Sequence, residues 1–169
     1  ALFVSSSRPI RDLEGFAHPR GGVHTYANRG LAGIDGNIST ALGVAYGHKA
    51  TIAVLGDLSF LHDLTGLINK EAINCRFIVI NNDGGGIFST LPQRGVEGFE
   101  TVFGTPHGLN PAAIAQAMGV QAKQITSLKE LEAEVKAPIS GVSVVVCDVP
   151  DRESNADNLK RVVEDLSSI

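Results

Sequence analysis

The sequence predicts an α/β fold, a doubly wound and mainly parallel sheet with helices on both faces. Two apolar runs, TIAVLG at 51–56 and FIVIN at 77–81, end abruptly in polar residues and glycine. Buried parallel strands have this pattern. Strand-like and helix-like segments also alternate along the chain, as they do when helices cover both faces of a parallel sheet.

The first half of the chain follows this alternation closely. A helix at 58–74 is predicted because its apolar residues recur at steps of three to five and would give one face to the sheet: Leu61, Leu64, Leu67, Ile68 and Ile73. Such a helix, of roughly four turns, is long enough to connect two parallel strands. The other expected elements are strand 2–4, a turn or short helix at 6–14, strand 23–26, helix 35–46 ending at Gly47, strand 51–56 and strand 77–81.

The second half contains one long irregular stretch. Residues 89–110 are rich in glycine and proline and show little periodicity, which indicates a long loop. Loops of this length in compact domains are usually functional or mobile, so we expect this one to cover the site. After it we expect helix 111–118, a short strand near 120–125, helix 128–136, strand 143–149 and helix 155–167.

Composition limits the class of protein. With 169 residues and 43% hydrophobic content, residues 1–169 can form a single domain with one core. A net charge of −4 without a basic run argues against nucleic acid and anionic membranes as partners. No apolar run approaches the ~18 residues of a membrane span and no signal peptide is evident, so we expect a cytoplasmic protein. Cys75 and Cys147 lack metal-ligand spacing and are expected to be ordinary buried thiols.

Two polar residues follow neighbouring apolar strands. Asp57 comes directly after 51–56, and Asn82 follows 77–81. Open parallel sheets bind ligands at the carboxyl ends of their strands, so we expect these two side chains to lie close together. A carboxylate, an amide oxygen and a backbone carbonyl are sufficient protein ligands for a Mg²⁺ ion that also binds a diphosphate. Gly84, Gly85 and Gly86 would let the backbone approach such a ligand closely.

The stretch NRGLAGIDG at 28–36 has an ordinary structural interpretation. Asp35 is placed as a possible N-cap for the helix that follows, with Gly33 in the preceding turn. On spacing alone, this loop-to-helix connection needs no ligand.

Four strings together resemble a known family. They are NRGLAGIDG at 28–36, GDLSFLHDL at 56–64, NNDGGGIF at 81–88 and FGTPH at 103–107. The GD and NN pair is similar to the cofactor motif of thiamine diphosphate enzymes. The fuller strings resemble the 2-succinyl-5-enolpyruvyl-6-hydroxy-3-cyclohexene-1-carboxylate synthases, the MenD family of menaquinone biosynthesis. Leu58 stands where most thiamine diphosphate enzymes have glycine, and MenD-like sequences also read GDL there.

The resemblance implies thiamine diphosphate and Mg²⁺ (or Mn²⁺) as cofactors. It implies metal ligands at Asp57, Asn82 and Gly84, and it matches Ile34 to the apolar residue that holds the cofactor bent. Cofactor contacts are implied at Gly33, Ile34, Asp35, Gly56, Asp57, Leu58, Asn82, Gly84, Gly85, Ile87 and Phe88.

The same resemblance implies the substrates 2-oxoglutarate and isochorismate, and a transferase reaction that decarboxylates the first and adds the product to the second. Both substrates are dicarboxylates, so Arg11 and Arg29, with Ser7, are implied at the substrate site. Without the family, each arginine would be read as a surface ion pair.

The family also implies that this chain is the C-terminal diphosphate-binding fragment of a longer homo-oligomeric enzyme, dimer or tetramer. The pyrimidine-binding domain, expected from another subunit, would carry the activating glutamate, so the fragment alone is expected to be inactive.

Three alternatives remain open. The chain could belong to another thiamine diphosphate 2-oxoacid decarboxylase or synthase, which would not need the two arginines. It could be a non-catalytic phosphate-ligand-binding module, although it has neither GxxxxGK[ST] nor GxGxxG. It could also be a structural domain that forms an oligomer interface. The roles of His62 and His107 stay open, while Asp63 is expected to support its helix or a neighbouring one.

Overall fold

The computed structural model describes residues 1–19, 21–68 and 71–168. Its elements, in chain order, are β1 (Leu2–Val4), α1 (Arg8–Phe16), β2 (Thr25–Tyr26), α2 (Asn37–Tyr46), β3 (Thr51–Gly56), α3 (Asp57–His62), β4 (Cys75–Asn81), α4 (Pro111–Ala117), β5 (Gln121–Ile125), α5 (Leu128–Lys136), β6 (Val142–Asp148) and α6 (Arg152–Ser167). Short 3₁₀ turns occupy Leu64–Leu67 and Gly86–Thr90, and a π-helical turn occupies Glu100–Gly104.

The chain divides into two compact units. The first contains Ala1–Asn81 and Asn110–Asp148, and the second contains Asn82–Leu109 and the C-terminal segment that begins at Val149.

The first unit is built on a parallel sheet. The strand order is β2-β1-β3-β4-β6-β5, and every neighbouring pair is parallel. The predicted doubly wound α/β fold is therefore confirmed. β4 lies inside the sheet between β3 and β6, and its first five residues are buried. The core around it consists of apolar side chains that include Phe3, Ile38, Leu55, Phe60, Phe77, Val79, Val144 and Val146.

Both cysteines lie in this sheet. Cys75 begins β4 and is fully buried, and Cys147 lies near the end of β6 with 7% exposure. The prediction of ordinary buried thiols is confirmed.

The predicted helix 58–74 is wrong. Helix α3 ends at His62, and Asp63 leaves the helical conformation with φ −128° and ψ 28°. Its carboxylate accepts hydrogen bonds from the Ser39 backbone N–H at 2.7 Å and the Ser39 hydroxyl at 3.2 Å. This contact stabilises the first turn of α2, and α3 ends just before Asp63. Asp63 therefore supports a neighbouring helix, as expected.

The chain after Asp63 packs directly on α2. A Cβ at Gly66 would lie 2.9 Å from the Ile38 Cγ2 atom, so the Gly66 backbone packs closely against the Ile38 side chain. Of the five apolar residues predicted to face the sheet, Leu67 and Ile73 are buried and Leu61 and Leu64 pack against the core, but Ile68 is 71% exposed. Residues 69 and 70 of the predicted helix lie outside the described residues.

Three smaller predictions also need correction. Helix α2 begins at Asn37 with Gly36 at its N-cap in the left-handed conformation (φ 65°), so Asp35 is not the N-cap. The final helix begins at Arg152 because Asp151 accepts from the Ser154 N–H at 2.9 Å and the Ser154 hydroxyl at 2.7 Å. The strand predicted at 23–26 is reduced to Thr25–Tyr26.

The second unit contains the stretch predicted to be a long loop. It is not structureless, because the 3₁₀ turn Gly86–Thr90 runs into its start and the π-helical turn Glu100–Gly104 lies within it. Helix α6 anchors the stretch through ion pairs from Arg94 to Glu153 and to Asp157, the latter at 2.7 Å. Arg152 of α6 pairs with Glu100 at 2.5 Å.

Within the ranges described above, no helix combines the length and apolar character that a membrane span requires.

Candidate functional site

The first unit has a topological switch point between β1 and β3. From β1 the chain passes to β2 on one side, and it then returns to form β3 on the other side of β1. Open α/β sheets bind ligands outside the carboxyl ends of the strands at such a reversal. Ser5 to Ser7 follow β1 and Asp57 follows β3, so both predicted segments flank the switch point.

Asp57 is a nearly buried carboxylate at this edge. It is 2% exposed, and its Oδ1 atom accepts a hydrogen bond from the Leu58 N–H at 2.7 Å. The preceding Gly56 ends β3 in an extended conformation, which turns the chain directly into α3. A buried carboxylate is costly unless charged or polar groups compensate it, and it supplies the hard oxygen that Mg²⁺ prefers.

The loop that carries Ile34 lies over the start of α2. A Cβ at Gly33 would overlap the Asp35 carboxylate, so a side chain at this position would displace that carboxylate. The Ile34 carbonyl accepts a hydrogen bond from the Ser59 hydroxyl at 3.0 Å. The Ile34 side chain remains 36% exposed, which leaves an apolar surface available for a ligand.

Ser59 and Asn37 support this loop, and sequence reasoning missed both. Asn37 is fully buried, and its Nδ2 atom lies 2.9 Å from the Ser59 hydroxyl. In the sequence, Asn37 appears only as a polar residue at the start of a helix and Ser59 as a polar residue among apolar neighbours. That signal is weak because solvent-facing positions look the same.

The predicted substrate residues are more exposed. Ser7 has φ 73° at the start of α1, a conformation that costs a non-glycine residue about 1–3 kcal/mol. The Arg11 guanidinium donates to the Ser7 carbonyl at 2.8 Å, so the structure brings this predicted pair together. Arg29 lies exposed in the segment between β2 and α2.

The second unit opens on Asn82 and a glycine turn. A Cβ at Gly84 would overlap the Gly104 carbonyl, a Cβ at Gly85 would overlap the Phe103 carbonyl, and a Cβ at Gly86 would overlap the Asn82 amide. The Gly85 N–H donates to the Gly104 carbonyl at 2.7 Å. Gly84 and Gly85 are therefore required by the backbone that they face, whereas a side chain at Gly86 would displace the Asn82 amide.

The Asp83 carboxylate holds the backbone at His107 and Gly108. Its Oδ1 atom accepts from the Gly108 N–H at 2.8 Å and from the His107 N–H at 3.0 Å. The Gly108 hydrogen bond is the main cause of a lowered pKa for Asp83. The Leu109 N–H donates to His107 Nδ1 at 3.0 Å, which shows that this ring nitrogen serves a structural hydrogen bond.

Ile87 and Phe88 lie in the 3₁₀ turn and are half-buried. The Phe88 ring lies 5.3 Å from that of Phe103, which in turn lies 5.7 Å from Phe99. This aromatic cluster belongs to the core of the second unit. In the first unit, His62 Nδ1 lies 2.7 Å from the Leu58 carbonyl, as expected of a residue that supports its own helix.

Each unit, taken by itself, offers groups of the kind that a magnesium diphosphate binds. The first unit offers a buried carboxylate at a strand end and an exposed apolar side chain in a glycine-containing loop. The second unit offers the Asn82 amide and a backbone turn without side chains at three successive positions. The described residues contain no group of three or more His, Cys, Asp or Glu that could hold a metal by themselves, so any ion here needs ligand oxygens as well.

The chain matches known proteins over most of its length. Residues 13–149 match the family described as "Thiamine pyrophosphate enzyme, C-terminal TPP binding domain". The chain is 47% identical over 127 residues to the 2-succinyl-5-enolpyruvyl-6-hydroxy-3-cyclohexene-1-carboxylate synthase of Thermobifida fusca (strain YX), covering 70% of this chain and 23% of that protein. It is 39% identical over 173 aligned positions to the synthase of the same name from Staphylococcus aureus (strain JH9), covering 100% of this chain and 30% of that protein.

The chain thus spans less than a third of the length of these curated relatives. Among solved structures, the benzoylformate decarboxylase of Polynucleobacter necessarius superposes with a TM-score of 0.69 at 21% identity, covering 88% of this chain and 30% of that one. This second likeness concerns the fold. The match over residues 13–149 shows that the chain belongs to the thiamine pyrophosphate (thiamine diphosphate) enzymes, in the family of their C-terminal cofactor-binding domain.

Proposed function

We propose that this chain is the diphosphate-binding part of a 2-succinyl-5-enolpyruvyl-6-hydroxy-3-cyclohexene-1-carboxylate synthase, acting in menaquinone biosynthesis. Such an enzyme decarboxylates 2-oxoglutarate and adds the remaining four-carbon unit to isochorismate. Support comes from the names and identities of the curated relatives. The structural observation that carries the proposal is the buried Asp57 carboxylate at the β3 end of the switch point.

For the cofactor, we assign Asp57, Asn82 and the Gly84 carbonyl as ligands of Mg²⁺. Asp57 supplies the negative charge, and the glycines at 84–86 allow the backbone to approach the diphosphate. We assign the further cofactor contacts to three segments. They are the loop of Gly33, Ile34 and Asp35, the residues Gly56 and Leu58 that flank Asp57, and the residues Gly85, Ile87 and Phe88 that follow Asn82. Thiamine diphosphate, when bound, supplies the electron sink for decarboxylation.

For the substrates, we assign the carboxylates to Arg11 and Arg29, with Ser7 beside Arg11. Arginine binds a carboxylate with two parallel hydrogen bonds, which fixes both position and orientation. The Arg11 hydrogen bond to the Ser7 carbonyl keeps part of that side chain in place while leaving it exposed. We also propose that the full enzyme is a cytoplasmic homo-oligomer in which another subunit supplies the pyrimidine-binding domain. This part of the proposal is supported by the family resemblance alone.

The test is CO₂ release from 2-oxoglutarate by the full-length enzyme that carries this chain, measured with and without isochorismate. The expected result is release that depends on isochorismate and is lost in Asp57→Ala. Asp63→Asn is the matched control, because Asp63 is a buried acid on the same segment that only supports α2. The asparagine keeps an acceptor for Ser39, so this variant should retain activity.

Two outcomes would contradict the proposal. Release that is indifferent to isochorismate would indicate another thiamine diphosphate decarboxylase. Activity that survives in Asp57→Ala would remove the metal assignment. The chain by itself should release little or no CO₂, and measurable turnover by it would contradict the fragment interpretation.

A further inference from the structure

Two buried polar side chains hold the loop that carries Ile34. Ser59 of α3 is 3% exposed and Asn37 of α2 is fully buried. The Ser59 hydroxyl donates to the Ile34 carbonyl at 3.0 Å and lies 2.9 Å from Asn37 Nδ2, which donates to it. Asn37 Nδ2 also lies 3.2 Å from the Gly33 carbonyl and 3.1 Å from the Asp35 carbonyl.

The backbone of this loop has few other means of support. Residues 33–36 belong to no helix or strand, and Gly36 turns into α2 with a left-handed backbone. Carbonyl groups outside regular secondary structure need other hydrogen-bond donors, and here two buried side chains reach the carbonyls of three successive residues. The position of Ile34 therefore depends on Ser59 and Asn37.

Ser59 also lies two residues after Asp57 in the same short helix. A single hydroxyl thus connects the loop of Ile34 to the helix that begins with Asp57. Both residues belong to the sheet unit, so the connection is internal to it.

We propose that Ser59 and Asn37 are positioning residues that fix Ile34 relative to Asp57 in the cofactor site. This inference rests on the proposed function, because it assumes that Ile34 supports the bent cofactor. Removal of the thiazolium C2 proton depends on how closely the cofactor's own amino group approaches it, so a small displacement of Ile34 should slow this step strongly. Binding of the diphosphate should change little, because Asp57 and the glycine turn are untouched.

The experiment uses the full-length enzyme loaded with thiamine diphosphate and Mg²⁺. Three quantities are measured: the hydrogen–deuterium exchange rate at thiazolium C2 by NMR after acid quench, the affinity for thiamine diphosphate by calorimetry, and the melting temperature. We expect Ser59→Ala and Asn37→Ala to slow C2 exchange by about 10-fold to 100-fold with an affinity close to that of the parent enzyme. Ser59→Cys, which keeps the shape with a weaker donor, should fall between Ser59→Ala and the parent.

The matched control is Ser39→Ala. Ser39 lies on the same helix as Asn37, but its hydroxyl donates to Asp63, so its loss should lower the melting temperature without slowing C2 exchange. The inference is overturned if Ser59→Ala and Ser59→Cys exchange at the parent rate, or if Ser39→Ala slows exchange as much as they do. If the parent enzyme does not bind thiamine diphosphate at all, the proposed function fails first, and that result is distinct from the other two.

Discussion

At the scale of single residues, the glycines of the chain fall into different physical classes. Gly85 has a negative φ of −79°, yet a Cβ there would overlap the Phe103 carbonyl and lie 2.9 Å from the Phe88 ring. Gly43, on the exposed side of α2, has no atom within 4 Å of the position that a Cβ would take. The first glycine is therefore required by packing and the second is not.

These two positions make a matched pair for a stability measurement. We expect Gly85→Ala to lower the free energy of unfolding by about 1–3 kcal/mol, since backbone must shift to admit the methyl group. Gly43→Ala should raise it by about 0.5–1 kcal/mol, because alanine loses less entropy in a helix. Urea unfolding of both variants measures these values, and an unchanged Gly85→Ala would show that the turn can relax.

Residue chemistry also explains what the sequence could reveal about the site. Asp57 and the glycine turn were identified because a strand that ends in such residues is a strong signal. Ser59 and Asn37 were missed because their importance comes from contacts across the fold, to carbonyls at 33–35. Asp35 was misassigned as an N-cap since the left-handed Gly36 moves the helix start by two residues. The approach of Asp57 to Asn82 stays a prediction.

At the scale of elements, helix α5 is capped at both ends, and the capping groups differ between its start and its end. At its start, Ser127 and Glu130 form a reciprocal capping box between residues three positions apart. At its end, the Arg76 guanidinium from β4 donates to the carbonyls of Ala137 at 3.0 Å and Pro138 at 2.9 Å. Arg76 is 8% exposed, so these bonds are shielded from water. The local sequence of α5 does not reveal this second cap.

Removal of the Arg76 cap should be costly. We expect Arg76→Met to reduce the free energy of unfolding by about 2–4 kcal/mol, since it removes several hydrogen bonds that a largely buried guanidinium donates to carbonyls at the end of α5. Lys136→Met is the matched control at the same helix end, because Lys136 is exposed and pairs only with Glu132 at 3.3 Å. Its effect should stay within about 0.5 kcal/mol. Equal losses in the two variants, measured by urea unfolding, would contradict a specific capping role.

The capping box predicts a pH dependence at the other end. Hydrogen bonds from the Ser127 hydroxyl, and next from the Thr126 N–H, lower the pKa of Glu130. Because the pKa in the folded chain lies below its unfolded value, the stabilisation is present above the usual glutamate range and is lost as pH falls through the lowered pKa. NMR should show the Ser127 amide resonance shifting over a pH range that lies below the usual glutamate pKa. Glu130→Gln should abolish that shift, and a transition at or above the usual glutamate pKa would contradict the box.

Element lengths were the weakest part of the sequence interpretation. The helix predicted at 58–74 has a correct apolar pattern, but Asp63 forms a tertiary contact with Ser39 and ends it early. The periodicity of apolar residues cannot reveal this tertiary contact, because Ser39 is distant from Asp63 in sequence. Strands β3 and β4 were predicted well since continuous burial leaves a simple pattern.

At the scale of the whole molecule, the sheet determines which parts of the chain should be most stable. β4 is buried at its first five positions and bonded on both sides, whereas the edge strand β5 is largely exposed. The alternation of elements predicted the parallel sheet. It did not predict the strand order, because order depends on the side of the sheet to which each crossover turns.

Hydrogen exchange tests this gradient. Amides of β3, β4 and β6 should exchange only through global unfolding, whereas those of β2 and β5 should exchange faster through local opening. Mass spectrometry of peptic fragments at several denaturant concentrations would measure it. Equal protection in β4 and β5 would contradict the expectation.

The two buried cysteines give the chain an internal reporter of its own opening. Burial raises the pKa of the Cys75 thiol to about 12 and also raises that of Cys147. Because the thiolate is the reactive form, an alkylating reagent at neutral pH should modify these thiols only when the sheet separates. Cys75 lies at the amino end of β4 and Cys147 near the carboxyl end of β6. The ratio of their labelling rates would therefore reveal which end of the sheet opens first, without any introduced probe.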